Sequence, residues 1–299
     1  MEPASPYGAY VDCAPTLTDR EVIDFCRNGY LMLPGVVPDD VNRKVVEYLD
    51  TVDDTYEPTP IMKQDWFVEG VLMNPQAAGA VRSLLGRGFA LPVVVSNHRG
   101  LLPWPHAHGW HRDGGSLYTP RLDYLQVFYW PEETTDDMGP TEVLPGSHFL
   151  RTKTPMMAHY GTIAGSVSTA GPAGTIFLTV YSIWHRRTRA TSGPRGRSPY
   201  RNLLKYNYWR TSAPCRDWLV DPDFDHNLVN FDPPEPVAFE QFQGGIAAAR
   251  MYCWLCGIEE EYTFRGGQCW PIVPTVRDGT DQMGIPPSLR RQTAGATHR

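Results

Sequence analysis

Apolar positions in the first ninety residues recur at helical spacing; from about 90 to 210 they come instead in short alternating or continuous bursts. Thr18 and Glu21 form a capping box ahead of Val22, Phe25 and Cys26, and Gly29 predicts the end of that helix. Tyr30-Leu-Met-Leu33 reads as a short strand ended by Pro34-Gly35. A second helix is expected from about Pro38, with Val41, Val45 and Leu49 at four-residue spacing. Residues 51–70, acidic and then aromatic, show no period and read as a long loop able to cover a pocket. Asn74-Pro75 opens a third helix that closes at Gly86.

Strands are then expected over 90–97, 107–113, 122–130, 141–144, 174–184 and 200–209, separated by Gly, Pro or charged turns. Successive strands without intervening helices predict an antiparallel sandwich rather than βαβ units. The fold class is therefore mainly β with flanking helices, a double-stranded β-helix of the jelly-roll or cupin-like kind. Residues 1–17 read as an irregular arm. The chain from 212 onward is rich in Pro, Asp and Trp, with one helix expected at 245–257 and a frayed end after Pro286. The reading is of one domain, 1–299: N-terminal helices over about 18–88, a β core over about 90–210 and an extension over 211–299.

The 299 residues are 41% hydrophobic, enough for a sizeable core, and the formal net charge of -6 argues against an electrostatic grip on nucleic acid or acidic lipid. No apolar run approaches the length of a membrane span. Met-Glu-Pro-Ala-Ser lacks the basic and apolar parts of a signal peptide, and Cys13, Cys26, Cys215, Cys253, Cys256 and Cys269 follow no framework spacing. The expected location is a reducing cytoplasm. Cys253 and Cys256 form a lone Cys-x-x-Cys inside an Ala-rich apolar segment and are read as packing cysteines. Nothing in the chain bears on oligomeric state.

Candidate chemistry centres on Trp110-His-Arg-Asp-Gly-Gly115. His111 and Asp113 stand two apart, so on an extended strand both side chains point to one face and can hold one metal ion together. A third ligand is available at His185, after an apolar run from Thr175 to Ile183. Two imidazoles and one carboxylate occupy one face of an octahedron and leave the opposite positions open, which suits a non-heme Fe(II) oxygenase. His106 and His108 are competitors, also two apart, but they carry no carboxylate and lie in a Pro-flanked segment. His148 sits among Gly-Pro and Pro-Gly turns and reads as structural. Arg186, Arg187 and Arg189 read as a solvated turn, with recognition of an anionic substrate group as the functional alternative. A guanidinium at Arg201, on its own strand pattern, is placed to fork onto a carboxylate of an organic co-substrate.

Five segments now stand in order: Trp110-His-Arg-Asp113, Asp123-Tyr-Leu-Gln126-Val-Phe-Tyr-Trp130, Met138-Gly-Pro-Thr-Glu-Val-Leu-Pro-Gly-Ser-His148, Trp184-His185, and Arg201 with its strand. Over about residues 18–210 this set resembles the successive motifs of the phytanoyl-CoA dioxygenase family. The resemblance implies a jelly-roll enzyme using Fe(II), 2-oxoglutarate and O2, with His111, Asp113 and His185 as iron ligands. It implies Arg201 on the distal carboxylate of 2-oxoglutarate, with Gln126 and Asn97 as further polar contacts. The family usually places the arginine sooner after the distal histidine. Arg195 and Arg197 fit a shorter loop, and Arg197 is the second choice because it lies among Gly, Pro and Ser.

Halogenating relatives replace the iron-bound carboxylate by a small residue, so Asp113 favours hydroxylation over halogenation, while desaturation, epoxidation and ring closure use the same oxidant and stay open. Phe67, Trp104, Trp110 and Tyr118, with Trp66, suggest a mostly apolar pocket for a small organic metabolite, in specialised or natural-product metabolism. Two rivals remain: a cupin-like metalloenzyme that does not use 2-oxoglutarate, and a non-catalytic small-molecule binding protein on the same sandwich.

Overall fold

The computed structural model describes residues 8–116, 119–152, 154, 156–157, 159–192, 199–224, 226, 239–262 and 286–290, with backbone alone for 239–244. The described strands are β1 (Tyr30–Leu33), β2 (Val95–Asn97), β3 (Gly100–Leu101), β4 (Trp110–His111), β5 (Tyr124–Trp130) and β6 (Thr141–Val143). They continue with β7 (Met156–Met157), β8 (Val167–Ser168), β9 (Thr175–Thr179), β10 (His185–Arg187), β11 (Tyr200–Arg201) and β12 (Leu204–Trp209). The longer helices among the described residues are α1 (Asp19–Asn28), α2 (Asp39–Thr51), α3 (Pro75–Leu85) and α4 (Phe239–Leu255).

The strands form two five-stranded sheets, ordered β1-β9-β5-β12-β2 and β7-β4-β10-β6-β8, and β11 pairs with β3. The strand pairings within the sheets are antiparallel, for example Gln126 opposite both Thr179 and Asn207. This is the jelly-roll sandwich that the strand pattern predicts.

The central strand β5 is buried on both faces, and its period of two separates two cores. Leu125, Val127 and Tyr129 face the helices and join a large core with Val22, Val45, Leu84 and Tyr206. Phe128 and Trp130 face the other way and pack with Phe177 and Leu203. The rings of Phe128 and Phe177 stack 4.5 Å apart, nearly parallel. Fully burying each such ring or branched side chain stabilises the fold by roughly 1.5–3 kcal/mol.

The helix signals match local chemistry. Thr18 and Glu21 cap α1 reciprocally, and Gly29 ends it at φ 77°. A Cβ at Gly29 would fall 2.3 Å from the ring of His148, which is itself fully buried against the Cys26 carbonyl. His148 is thus a wall residue. Asn74 caps α3 by accepting from Gln76 and Ala77. Cys253 and Cys256 are buried free thiols of the helix-side core.

The C-terminal extension is tied to α1 through one carboxylate. Asp19 is fully buried and accepts from Arg216 Nε and Nη2 at 2.8 and 2.7 Å, and from Trp218 Nε1 and the Tyr252 hydroxyl at 2.8 Å each. The Asp221 backbone N–H adds a fifth bond at 2.7 Å. His226 Nε2 stands 3.9 Å away, beyond hydrogen-bond reach, so the closer donors carry the effect. Burial pushes this carboxyl up, but those donors outweigh it and hold it well below the usual carboxylate range.

Several sequence expectations need correction. The 51–70 segment is no open loop: short helical turns at Thr59–Lys63, Asp65–Phe67 and Val68–Leu72 insert Ile61, Phe67 and Val71 into the helix-side core. The strand expected over 107–113 shrinks to Trp110–His111, because the chain turns at Gly114. The run 174–184 breaks after Thr179, and His185 begins a separate strand on the opposite sheet. Arg186 is buried rather than solvated, with Nε 2.8 Å from Glu142 on the neighbouring strand and its guanidinium over the Trp110 ring. Tyr118, Arg195, Arg197 and Cys269 lie outside the described residues. Among the described residues no helix is long and apolar enough to cross a membrane.

Candidate metal centre

β4 and β10 are antiparallel neighbours, and their register sets His111 directly opposite His185. The two imidazole centroids lie 4.4 Å apart. Beyond Arg112 the chain folds into a tight turn, Asp113–Gly115, with Gly114 at φ 57°. That left-handed conformation suits glycine. The turn brings the Asp113 carboxylate back to the rings, Oδ1 at 3.9 Å from His111 Nε2 and Oδ2 at 3.5 Å from His185 Nε2. One ligand atom from each of the three residues lies within 4.8 Å of the other two.

The backbone sets the tautomers. His111 Nδ1 is 2.9 Å from the Gly109 carbonyl, and His185 Nδ1 is 3.1 Å from that of Ile183. A carbonyl oxygen only accepts, so each Nδ1 donates and each Nε2 turns its lone pair toward Asp113. Burial is the main cause that lowers both histidines, carrying His185 down to about 4, so both rings are neutral near pH 7. Burial also pushes Asp113 up, but His185, Lys205 and Gln126 outweigh it and keep the carboxyl well below its usual range. Since His185 is uncharged at neutral pH, the cation that matters to Asp113 is Lys205. Three electron-pair donors thus converge on one small volume, the chemistry of a divalent-cation site.

Around this cluster Gln126 Nε2 donates to Asp113 Oδ2 at 2.7 Å, and Lys205 Nζ lies 2.6 Å from the same oxygen. Gln126 therefore reaches the candidate ligand. Lys205 escaped the sequence reading, although its signal was present: a single charge in Leu-Leu-Lys-Tyr-Asn-Tyr, at the inward parity of β12. His98, on the β2–β3 connection, was also missed. Its ring is reached by solvent yet crowded by protein, and that crowding first, then Lys205, pushes it down to about 4. His106 and His108 are exposed, the latter ring 4.9 Å from His111.

Arg201 is buried, with its guanidinium 4.7 Å from the Trp104 ring and 4.9 Å from the Trp130 ring, and Nη1 donating to the Gly139 carbonyl. Arg187 stacks on the same Trp104, 4.4 Å from its centroid. Burial, and then Arg187, lowers Arg201 to about 9, which leaves it charged near pH 7. Arg201 Nε, Arg187 Nε and Trp130 Nε1 find no acceptor among the described residues. A buried guanidinium with spare donors and no ion pair among the described residues fits a carboxylate ligand.

The other sequence-derived candidates fall elsewhere. Asn97 is used by the fold, donating to the Thr55 carbonyl and Asn202 and accepting from the Leu203 N–H. Strand alternation turns Trp110 away from His111, and its indole donates to Gly161. Phe67 belongs to the helix-side core. Among the described members of the aromatic set, Trp104 alone stands beside Arg201.

No protein-family profile matches the chain, and no curated protein matches it. Among solved structures, HygX from Streptomyces hygroscopicus with nickel and 2-oxoglutarate bound is similar at a TM-score of 0.52 and 15% identity, over 66% of this chain and 88% of HygX. The iron-bound form of HygX gives 0.51 and 14% over the same shares. The likeness concerns the fold, and it places this chain on the same β architecture as a protein crystallised with iron, nickel and 2-oxoglutarate.

Proposed function

We propose that the protein is an Fe(II)- and 2-oxoglutarate-dependent oxygenase of the phytanoyl-CoA dioxygenase kind, acting on a small organic metabolite in natural-product biosynthesis. The observation that carries this reading is the convergence of His111, Asp113 and His185 within 4.8 Å, on a jelly roll that also buries Arg201 with no acidic partner among the described residues. The core shared by the N-terminal helices, the sheet and the 248–256 segment supports reading the chain as one oxygenase domain.

His111, Asp113 and His185 would hold the iron, and Arg201 the distal carboxylate of 2-oxoglutarate. Once bound, iron would activate O2 and 2-oxoglutarate would supply two of the electrons that O2 takes up, the C–H bond of the substrate supplying the other two. The protein's part is placement. The Gly109 and Ile183 carbonyls fix the imidazole tautomers, Gln126 orients Asp113, and the Trp104 and Trp130 rings hold the guanidinium. The inner aromatic layer of Phe128 and Phe177 keeps water away. Retention of Asp113 supports hydroxylation over halogenation.

The test is anaerobic titration with Fe(II) and 2-oxoglutarate, following the visible charge-transfer band of the chelate, then a metabolite screen for O2-dependent succinate release. The band should vanish in His111→Ala and require about ten-fold or more additional 2-oxoglutarate in Arg201→Gln, the scale of a lost charged hydrogen bond. Metal binding without a band or succinate would favour the cupin-like alternative. Absence of metal binding sensitive to His111→Ala would favour a non-catalytic binding protein.

A further inference from the structure

Lys205 has no assigned part in the reading above, yet its 2.6 Å contact with Asp113 is the shortest in the cluster. The side chain leaves the inner face of β12 opposite Phe128, passes that ring at 5.8 Å and is largely buried. The only ion pair it makes among the described residues is with Asp113. Its ammonium therefore supplies the positive charge that the two Nε2 lone pairs and the carboxylate require. A divalent ion on those three ligands would draw on the same carboxylate, leaving two cations a few ångströms apart in a poorly solvated site. Arg201 cannot relieve this, because it is held between two indoles and donates to Gly139. Lys205 can move, since a compact ammonium rides on a flexible four-carbon stem.

Building on the proposed function, we propose that Lys205 is a carboxylate-binding residue of the loaded site. It is counter-ion to Asp113 before loading, and passes to the metal-chelating carboxylate of the 2-oxo acid once a metal takes Asp113. The exchange moves no covalent bond and no proton. It makes metal and 2-oxo acid mutually reinforcing: the metal frees the ammonium, the acid accommodates it, and by linkage each tightens the other.

The test compares wild type with Lys205→Met and Lys205→Arg by calorimetry, first with Ni(II) alone and then with 2-oxoglutarate added to the nickel-loaded protein. Thermal melting of each variant checks its fold. Lys205→Met should bind nickel at least as tightly as wild type, because no ammonium competes. It should bind 2-oxoglutarate about ten-fold or more weakly, as expected for loss of a charged hydrogen bond. Lys205→Arg should keep most of the 2-oxoglutarate affinity. Unchanged 2-oxoglutarate binding in Lys205→Met would overturn the proposal, and so would a clear loss of nickel affinity, which would make Lys205 a permanent support for Asp113. A wild-type protein that takes nickel but no 2-oxoglutarate would overturn the parent reading as well. Wild type binding both while Lys205→Met behaves identically overturns this inference alone.

Discussion

His111 and His185 face each other across the β4–β10 pair, yet Asp113 reaches them only because the backbone reverses at Gly114. Two candidate ligands are thus placed by strand register and the third by a turn. Register is set by the whole sheet, whereas the turn depends on one residue without a side chain.

Gly114→Ala separates the two. A Cβ at φ 57° would lie 3.0 Å from the Tyr181 hydroxyl, and the left-handed conformation costs an L-residue roughly 1–2 kcal/mol. The variant should fold with a melting temperature lower by several degrees, while its nickel affinity falls about ten-fold or more as Asp113 swings out. Calorimetric titration beside thermal melting checks this. A melting shift with unchanged nickel binding would mean the turn does not position the ligand.

His148 should make the protein acid-sensitive well above the carboxylate range. Burial, only partly offset by its bond to the Cys26 carbonyl, pushes its pKa down from 6.5 to about 3. In the unfolded chain this ring protonates as pH falls below about 6.5, whereas the folded protein keeps it neutral to about 3. Stability is therefore undiminished at neutral pH and is lost progressively between those values, by up to roughly 1.4 kcal/mol per pH unit. Denaturant unfolding at pH 7, 6, 5 and 4 should show this slope reduced by about one proton in His148→Asn. His185 contributes in the same sense and remains in the variant.

Asp19→Ala should be among the most damaging substitutions outside the candidate metal centre. It strands the Arg216 guanidinium, the Trp218 N–H and the Tyr252 hydroxyl, and breaking such a buried pair costs about 3–5 kcal/mol. Because the folded-state pKa of Asp19 is depressed, its contribution is complete above about pH 4 and is lost as pH falls further. Urea midpoints at pH 7 read the cost directly. A change below 1 kcal/mol would show that the extension is not tied down by this carboxylate.

The three candidate ligands were legible in the sequence for a reason only half right. The two-residue spacing of His111 and Asp113 suggested one strand face, whereas the residues meet across a strand and a turn. His185 was recognisable because an apolar run led to it, although that run breaks and crosses to the other sheet. Arg186 looked solvated because its partners, Glu142 and Trp110, come from strands whose pairing no local pattern reveals. Phe67 and Trp110 looked like pocket residues because composition cannot say which face of an element a ring leaves. Lys205 passed unnoticed since a lone lysine in a strand reads as an edge charge until the sheet order places β12 between β5 and β2.

The brevity of β4 and β10, two and three residues, has a consequence for durability. So short a ladder resists local opening weakly, and separating these strands would scatter the histidines while the long β9–β5–β12 sheet stays closed. A divalent ion shared by His111 and His185 would act as a rivet through the thinner wall of the sandwich, so that loss of metal and fraying of that wall become one event.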